Sequence, residues 1–92
     1  MRPAQSFRYN GSVLFRFCSN ASALHFCVTK KYGNAVERNL FKRRARSLFK
    51  EFSKPGDPFY NYTIYMTPLK KNISFSTIHR AFLNLQAQLL KQ

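Results

Sequence analysis

Acidic residues are scarce in this 92-residue chain: Glu37, Glu51 and Asp57 stand against sixteen Lys and Arg, for a formal charge of +13. A protein nuclease needs acid and base groups, or carboxylates that hold metal, within reach of one phosphate. These three do not suggest a pair. Glu37 is accounted for by a helix cap, Glu51 lies at the far end of the same helix, and Asp57 sits in a Pro-Gly turn. His25 and His79 fall on a strand and a distant helix, with no spacing that joins them, so no catalytic residue is expected. Cysteine is also scarce. Cys18 and Cys27 share no zinc-site spacing with the histidines, and no metal site is expected in the chain. Across a tight hairpin the two thiols would fall at opposite ends, too far apart for a disulfide, so both are expected to be reduced. No apolar run approaches the roughly 18 residues of a membrane span. Met1-Arg2-Pro3 leads into no signal-peptide stretch. A soluble, cytoplasmic protein without a membrane partner is expected.

What the chain does have is core material and positive charge. Hydrophobic residues make up 45% of it and aromatics 16%, including ten Phe and five Tyr, which is not the composition of a disordered basic tail. The length fits a single domain. A charge of +13 on a domain this small calls for a polyanionic partner, nucleic acid first and anionic lipid second.

The residue pattern predicts a ββαβα order. Residues 1–11 carry Pro3, Gly11 and scattered aromatics and read as an N-terminal arm or a vestigial helix. Residues 12–18 and 23–30 are short β-favouring runs around Ser19-Asn20-Ala21-Ser22 and read as an antiparallel hairpin, with Leu24, Phe26 and Val28 facing the core. Asn34-Ala35-Val36-Glu37 is a capping-box variant that opens a helix over 35–52, closed by Lys54-Pro55-Gly56. A third strand spans 59–67. A last amphipathic helix is marked by Phe75, Ile78, Phe82, Leu85 and Leu89, with Ser74 or Ser76 as its cap.

Charge concentrates on the first helix and its approach: nine of the sixteen basic residues lie between Lys30 and Lys54. At 100° per residue, Arg38, Lys42, Arg46 and Lys50 form one row with Arg43 beside it. Phe41, Ala45, Leu48, Phe49 and Phe52 form the adjacent apolar stripe. Arg44 points away from the row, either toward a second phosphate or into solvent. Guanidinium forks suit bidentate phosphate contact, and Asn39 can reach a base edge or a 2′-hydroxyl. Charge alone does not separate RNA from DNA.

The longer string Val28-Thr29-Lys30-Lys31-Tyr32-Gly33-Asn34-Ala35-Val36-Glu37-Arg38-Asn39-Leu40-Phe41-Lys42-Arg43-Arg44-Ala45-Arg46 closely resembles the signature of ribonuclease P proteins. In that family a strand ending in Lys-Lys runs through Gly-Asn-Ala-Val into an Arg-Asn-Arg helix. With its flanks the resemblance covers about residues 12–90. It implies a small α+β two-layer sandwich with a left-handed βαβ crossover and residues 12–92 as the RNA-binding domain. It further implies a subunit that assists a catalytic RNA in removing the 5′ leader from precursor tRNA. The Mg²⁺ of the reaction would be bound by the RNA, not by this chain. The partners would be the catalytic RNA and precursor tRNA, with no obligate protein partner. Docking on the catalytic RNA carries over to Lys30, Lys31, Arg38, Asn39, Lys42, Arg43 and Arg46. A leader cleft on the open sheet face maps to Cys27, Thr29 and Lys31. Phe15 and Phe17 either line that cleft or belong to the core. Two departures stand out: Leu40 replaces the last arginine of the triplet, and only Ala4 to Tyr9 remains where the family carries a basic N-terminal helix. A structured-RNA binding protein with no enzymatic partner is the alternative.

Overall fold

The computed structural model describes residues 5–91. Strands β1 (Gln5–Tyr9), β2 (Val13–Ser19) and β3 (Ala23–Phe26) precede helix α1 (Ala35–Phe52), strand β4 (Tyr62–Pro68) and helix α2 (Phe75–Leu90). Single 3₁₀ turns at Lys30–Tyr32 and Pro58–Asn61 lead into α1 and β4. The order is therefore βββαβα, one strand more than the residue pattern suggests.

The additional strand replaces the arm read over residues 1–11, of which residues 1–4 lie outside the described residues. Asn10 and Gly11 both adopt positive φ, 52° and 69°, and the Ser12 N–H donates to the Tyr9 carbonyl at 2.8 Å. An Asn-Gly pair with positive φ at both positions is the two-residue turn whose twist suits a β-hairpin. It sets Tyr9 opposite Val13, Phe7 opposite Phe15 and Gln5 opposite Phe17. The hairpin is thus β1–β2, not the pairing of 12–18 with 23–30.

The sheet order is β1-β2-β4-β3. β4 inserts between β2 and β3, antiparallel to the first and parallel to the second. The 19–22 link is therefore not a tight turn. It passes over the start of β4, where the Asn20 N–H donates to the Asn61 carbonyl at 3.0 Å and the Thr63 hydroxyl to the Ala21 carbonyl at 2.7 Å. Cys18, in β2, and Cys27, just after β3, are both free, and β4 lies between β2 and β3. Parallel neighbours need a crossover, and α1 supplies it between β3 and β4.

Both helices cover one face of the sheet, giving the two layers. Period-2 alternation sends Val13, Phe15 and Phe17 of β2 and Ile64 and Met66 of β4 inward, all at most 1% exposed. Phe82 of α2 meets Phe15 at 5.5 Å, Phe59 at 5.6 Å and Phe52 of α1 at 5.8 Å between ring centroids. Phe41 packs edge-on against Phe26 of β3 at 6.1 Å. Each buried phenyl contributes about 1.5–3 kcal/mol relative to exposure. The predicted stripe of α1 is buried at Phe41, Ala45, Leu48 and Phe52. On α2, Ser74 is the cap that accepts from the Thr77 N–H, and Phe75 is not part of the core but 46% exposed.

Candidate nucleic-acid interface

Three neighbouring surfaces carry the cations. The first is α1, whose start is fixed by a reciprocal cap: Asn34 Oδ1 accepts from the Glu37 N–H at 2.9 Å, and the Asn34 N–H donates to Glu37 Oε1 at 3.1 Å. Gly33 makes room for it. Its φ is +153°, and a Cβ there would fall 2.7 Å from Glu37 Oε1. With the helix anchored on its apolar stripe, Asn39, Arg43, Arg46 and Lys50 are exposed and Arg38 and Lys42 half-buried along one arc. The Arg46 guanidinium lies 5.3 Å over the Phe26 ring, tying the row to β3 while leaving its other side open. Arg38 Nε is enclosed, with no hydrogen-bond partner among the described residues.

Arg44 is settled by the structure. Its Nη1 donates to the Ile73 carbonyl at 3.2 Å, so it staples α1 to the segment before α2. A cavity of about 280 Å³ beside it is lined by Tyr32, Glu37, Leu40, Arg44, Asn72 and Ile73. Burial there pushes the Tyr32 hydroxyl above its ordinary pKa, against the opposing pull of an Ile73 backbone hydrogen bond and the Arg44 charge.

The second surface gathers where the parallel strands β3 and β4 end. Thr29, Lys31, Leu69, Lys70 and Lys71 line a cavity of about 230 Å³. Lys30 shares the 3₁₀ turn with Lys31, and its side chain lies outside the described residues. Lys70 and Lys71 are site candidates that the residue pattern left as a link. The signal was a Lys-Lys pair after a strand, and only the parallel pairing with β3 brings it beside Thr29 and Lys31.

The third surface is the uncovered face of the sheet. Phe15 and Phe17 do not line it, because alternation turns both into the core at 0% and 1% exposure. Their neighbours Leu14, Arg16 and Cys18 are the β2 residues that face outward. Register sets Ser6, Arg16, Tyr65 and His25 in one row across the four strands, with Arg8, Leu14 and Thr67 in the next. Cys27 follows β3 with its N–H on the Met66 carbonyl, and both Cys27 and Thr29 are exposed. His25 lies on this face, while His79 packs against Phe52 on the helical side of the sheet.

Among the described residues no three of His, Cys, Asp and Glu stand close enough to hold a metal ion. Glu37 is committed to its cap, and Asp57 Oδ2 accepts from the Lys54 N–H at 3.0 Å. Among the described residues no helix is long and apolar enough to cross a membrane.

Residues 2–90 match the family model described as Ribonuclease P. The ribonuclease P protein component of Phytoplasma australiense is 40% identical over 55 residues, 60% of this chain and 48% of that protein. That of Onion yellows phytoplasma is 35% identical over 81 residues, 83% of this chain and 57% of that protein. The chain spans about half the length of the curated relatives it matches. Among solved structures, the RNase P protein from Thermotoga maritima aligns with a TM-score of 0.73 at 25% identity, covering 92% of this chain and 83% of its own. The Staphylococcus aureus RNase P protein gives 0.69 at 24% identity over 96% of this chain and 82% of its own, a likeness of fold.

Proposed function

This chain belongs to the ribonuclease P protein family, and from that premise we propose that it is the protein subunit of a ribonuclease P, assisting a catalytic RNA in removing the 5′ leader of precursor tRNA. The observation that carries the proposal is the arc of Arg38, Asn39, Lys42, Arg43 and Arg46 on a helix whose opposite side is locked into the core. Guanidinium and ammonium groups held in a fixed array neutralise crowded phosphates at a smaller ordering cost than a flexible basic tail. The three carboxylates are scattered, and two of them accept backbone N–H groups, Glu37 in its cap and Asp57 in the turn after α1, which favours assigning hydrolysis, and the Mg²⁺ that supports it, to the RNA. Lys31, Lys70 and Lys71, with Thr29 and Cys27, continue the positive surface from α1 toward the open sheet face, where the leader would run. Recognition of the leader would then favour precursor over mature tRNA. The compartment proposed is the cytoplasm, where precursor tRNA is processed in bacteria.

The test is leader cleavage of a precursor tRNA by a bacterial ribonuclease P RNA at low Mg²⁺, with and without the chain. Rescue of cleavage is expected. Tight RNA binding without rescue by any cognate RNA would replace this reading with that of a structured-RNA binding protein lacking an enzymatic partner.

A further inference from the structure

Lys70 and Lys71 sit in a link between β4 and α2, yet that link is pinned at both ends. At its start the Leu69 N–H donates to the Ser12 carbonyl at 2.8 Å. At its end Asn72 takes a left-handed φ of 56°, a conformation asparagine tolerates better than most residues, and Ile73 turns into the core. The Ile73 carbonyl accepts from Arg44 Nη1 at 3.2 Å, and the Ile73 backbone also hydrogen-bonds the Tyr32 hydroxyl. Tyr32 closes the 3₁₀ turn that carries Lys31, with its N–H on the Thr29 carbonyl at 3.1 Å and its ring 5.3 Å from that of Phe41 on α1. One backbone position, Ile73, thus joins three cation-bearing segments: α1, the turn of Lys31 and the link of Lys70 and Lys71. Adjacent like charges repel, and on an unanchored loop they would splay apart. The acids are placed elsewhere: Glu51 and Asp57 lie at and beyond the far end of α1, and the Glu37 carboxylate accepts from the Asn34 N–H.

We propose that Arg44 is a positioning residue for RNA binding: through Ile73 it holds Lys70 and Lys71 against α1, so that the lysine pair and the basic arc meet one RNA as a single preformed surface. The inference rests on the subunit reading and deepens it, giving the arginine that faces away from the arc a role in assembly with the catalytic RNA. A loop ordered only on binding costs affinity, and a backbone fixed beforehand removes that cost. Two other roles for Arg44 predict different behaviour. A direct phosphate contact would act independently of the lysines. A purely structural hydrogen bond would register in melting and leave RNA affinity unchanged.

The test is a double-mutant cycle on affinity for a bacterial ribonuclease P RNA, using the native chain, Arg44→Met, Lys70→Ala with Lys71→Ala, and the triple variant. Methionine keeps a long apolar stem at position 44 without the donor or the charge. Arg44→Met should weaken binding by about fivefold, within the range of coupling in one hydrogen-bonded network, and should add nothing in the chain that already lacks both lysines. Equal factors in the two backgrounds, or no loss in the first, would overturn the proposal. A second measurement keeps Arg44 in place and so does not depend on how the variant folds. In a Cys18→Ser and Cys27→Ser background, spin labels at Ser47→Cys on α1 and Lys71→Cys on the link report the distance between the two segments. A narrow distribution that RNA leaves unchanged is expected in the free chain, broadening when Arg44→Met is added. A broad distribution that narrows only with RNA would show that the surface is not preformed and would overturn the proposal. Leader cleavage by the native chain is measured alongside. Rescue together with an additive cycle removes the positioning role and leaves the subunit reading; failure to rescue removes the subunit reading and the positioning role with it.

Discussion

Helix α1 and the open face of the sheet are both exposed and both basic, yet they are built in opposite ways. On α1 the cations come from one contiguous segment, spaced by the 3.6-residue period, and their backing is the apolar stripe of the same helix. On the sheet, Arg8, Arg16, Tyr65 and His25 come from four strands and meet only through register. The helix offers dense charge to phosphates. The sheet offers fewer charges and two stacked rings. The crowded phosphates of a folded RNA suit the first; unpaired bases suit the second.

The largest expected effect sharpens the boundary between the sheet's two faces. Phe15→Ala removes a fully enclosed ring that meets Phe7 and Phe82, and should destabilise the domain by about 3–5 kcal/mol, enough to lower its melting temperature by tens of degrees. A stable Phe15→Ala chain with weakened leader binding would put that residue back on the RNA face. Next is Arg38→Ala combined with Arg43→Ala. It should weaken binding to catalytic RNA by roughly tenfold or more and make the salt dependence shallower by about two counterions, with melting little changed. An unchanged salt slope would contradict the helix side of the comparison. Smaller again, Gly33→Ala forces a side chain against Glu37 and strains a φ of +153°, so the cap of α1 should lose about 1–2 kcal/mol in denaturant titrations. Wild-type stability in that variant would mean the cap does not set the helix start. The smallest concerns Tyr32, whose raised pKa favours the neutral hydroxyl in the folded state. Its stabilisation is fully present below the ordinary tyrosine pKa of about 10 and is lost as pH rises through the higher folded value. Tyr32→Phe should flatten the alkaline fall of stability relative to the native chain.

The same contrast explains what could be read from the residues alone. The cap, the limits and the buried stripe of α1 were legible because every interaction that sets them lies within four residues. So was the core-facing set Leu24, Phe26 and Val28, which needs only alternation. The pairing of strands was not legible. Residues 12–18 and 23–30 look like hairpin arms across Ser19–Ser22, and nothing local announces that β4, some forty residues later, will insert between them. The turn that does make a hairpin was present in the sequence as Asn10-Gly11, with Phe7 and Tyr9 before it and Val13, Phe15 and Phe17 after. With β1 absent from the reading, Phe15 and Phe17 could be assigned to either face, and Arg8, Arg16 and Tyr65 had no place to converge. Lys70 and Lys71 were hidden for the same reason, since their company is set by a parallel pairing.

The division of labour between the two surfaces can be tested with the thiols the protein already carries. Cys27 is exposed at the edge of the open face, and a Cys18→Ser background leaves it as the attachment point for a tethered radical-generating iron chelate. A second chain, with Cys18→Ser, Cys27→Ser and Arg43→Cys, carries the same probe on α1. In the assembled complex with precursor tRNA, the account predicts that the probe at residue 27 cuts the leader and the probe at residue 43 cuts the catalytic RNA. Cutting of the leader from residue 43, or of the catalytic RNA alone from both positions, would contradict it.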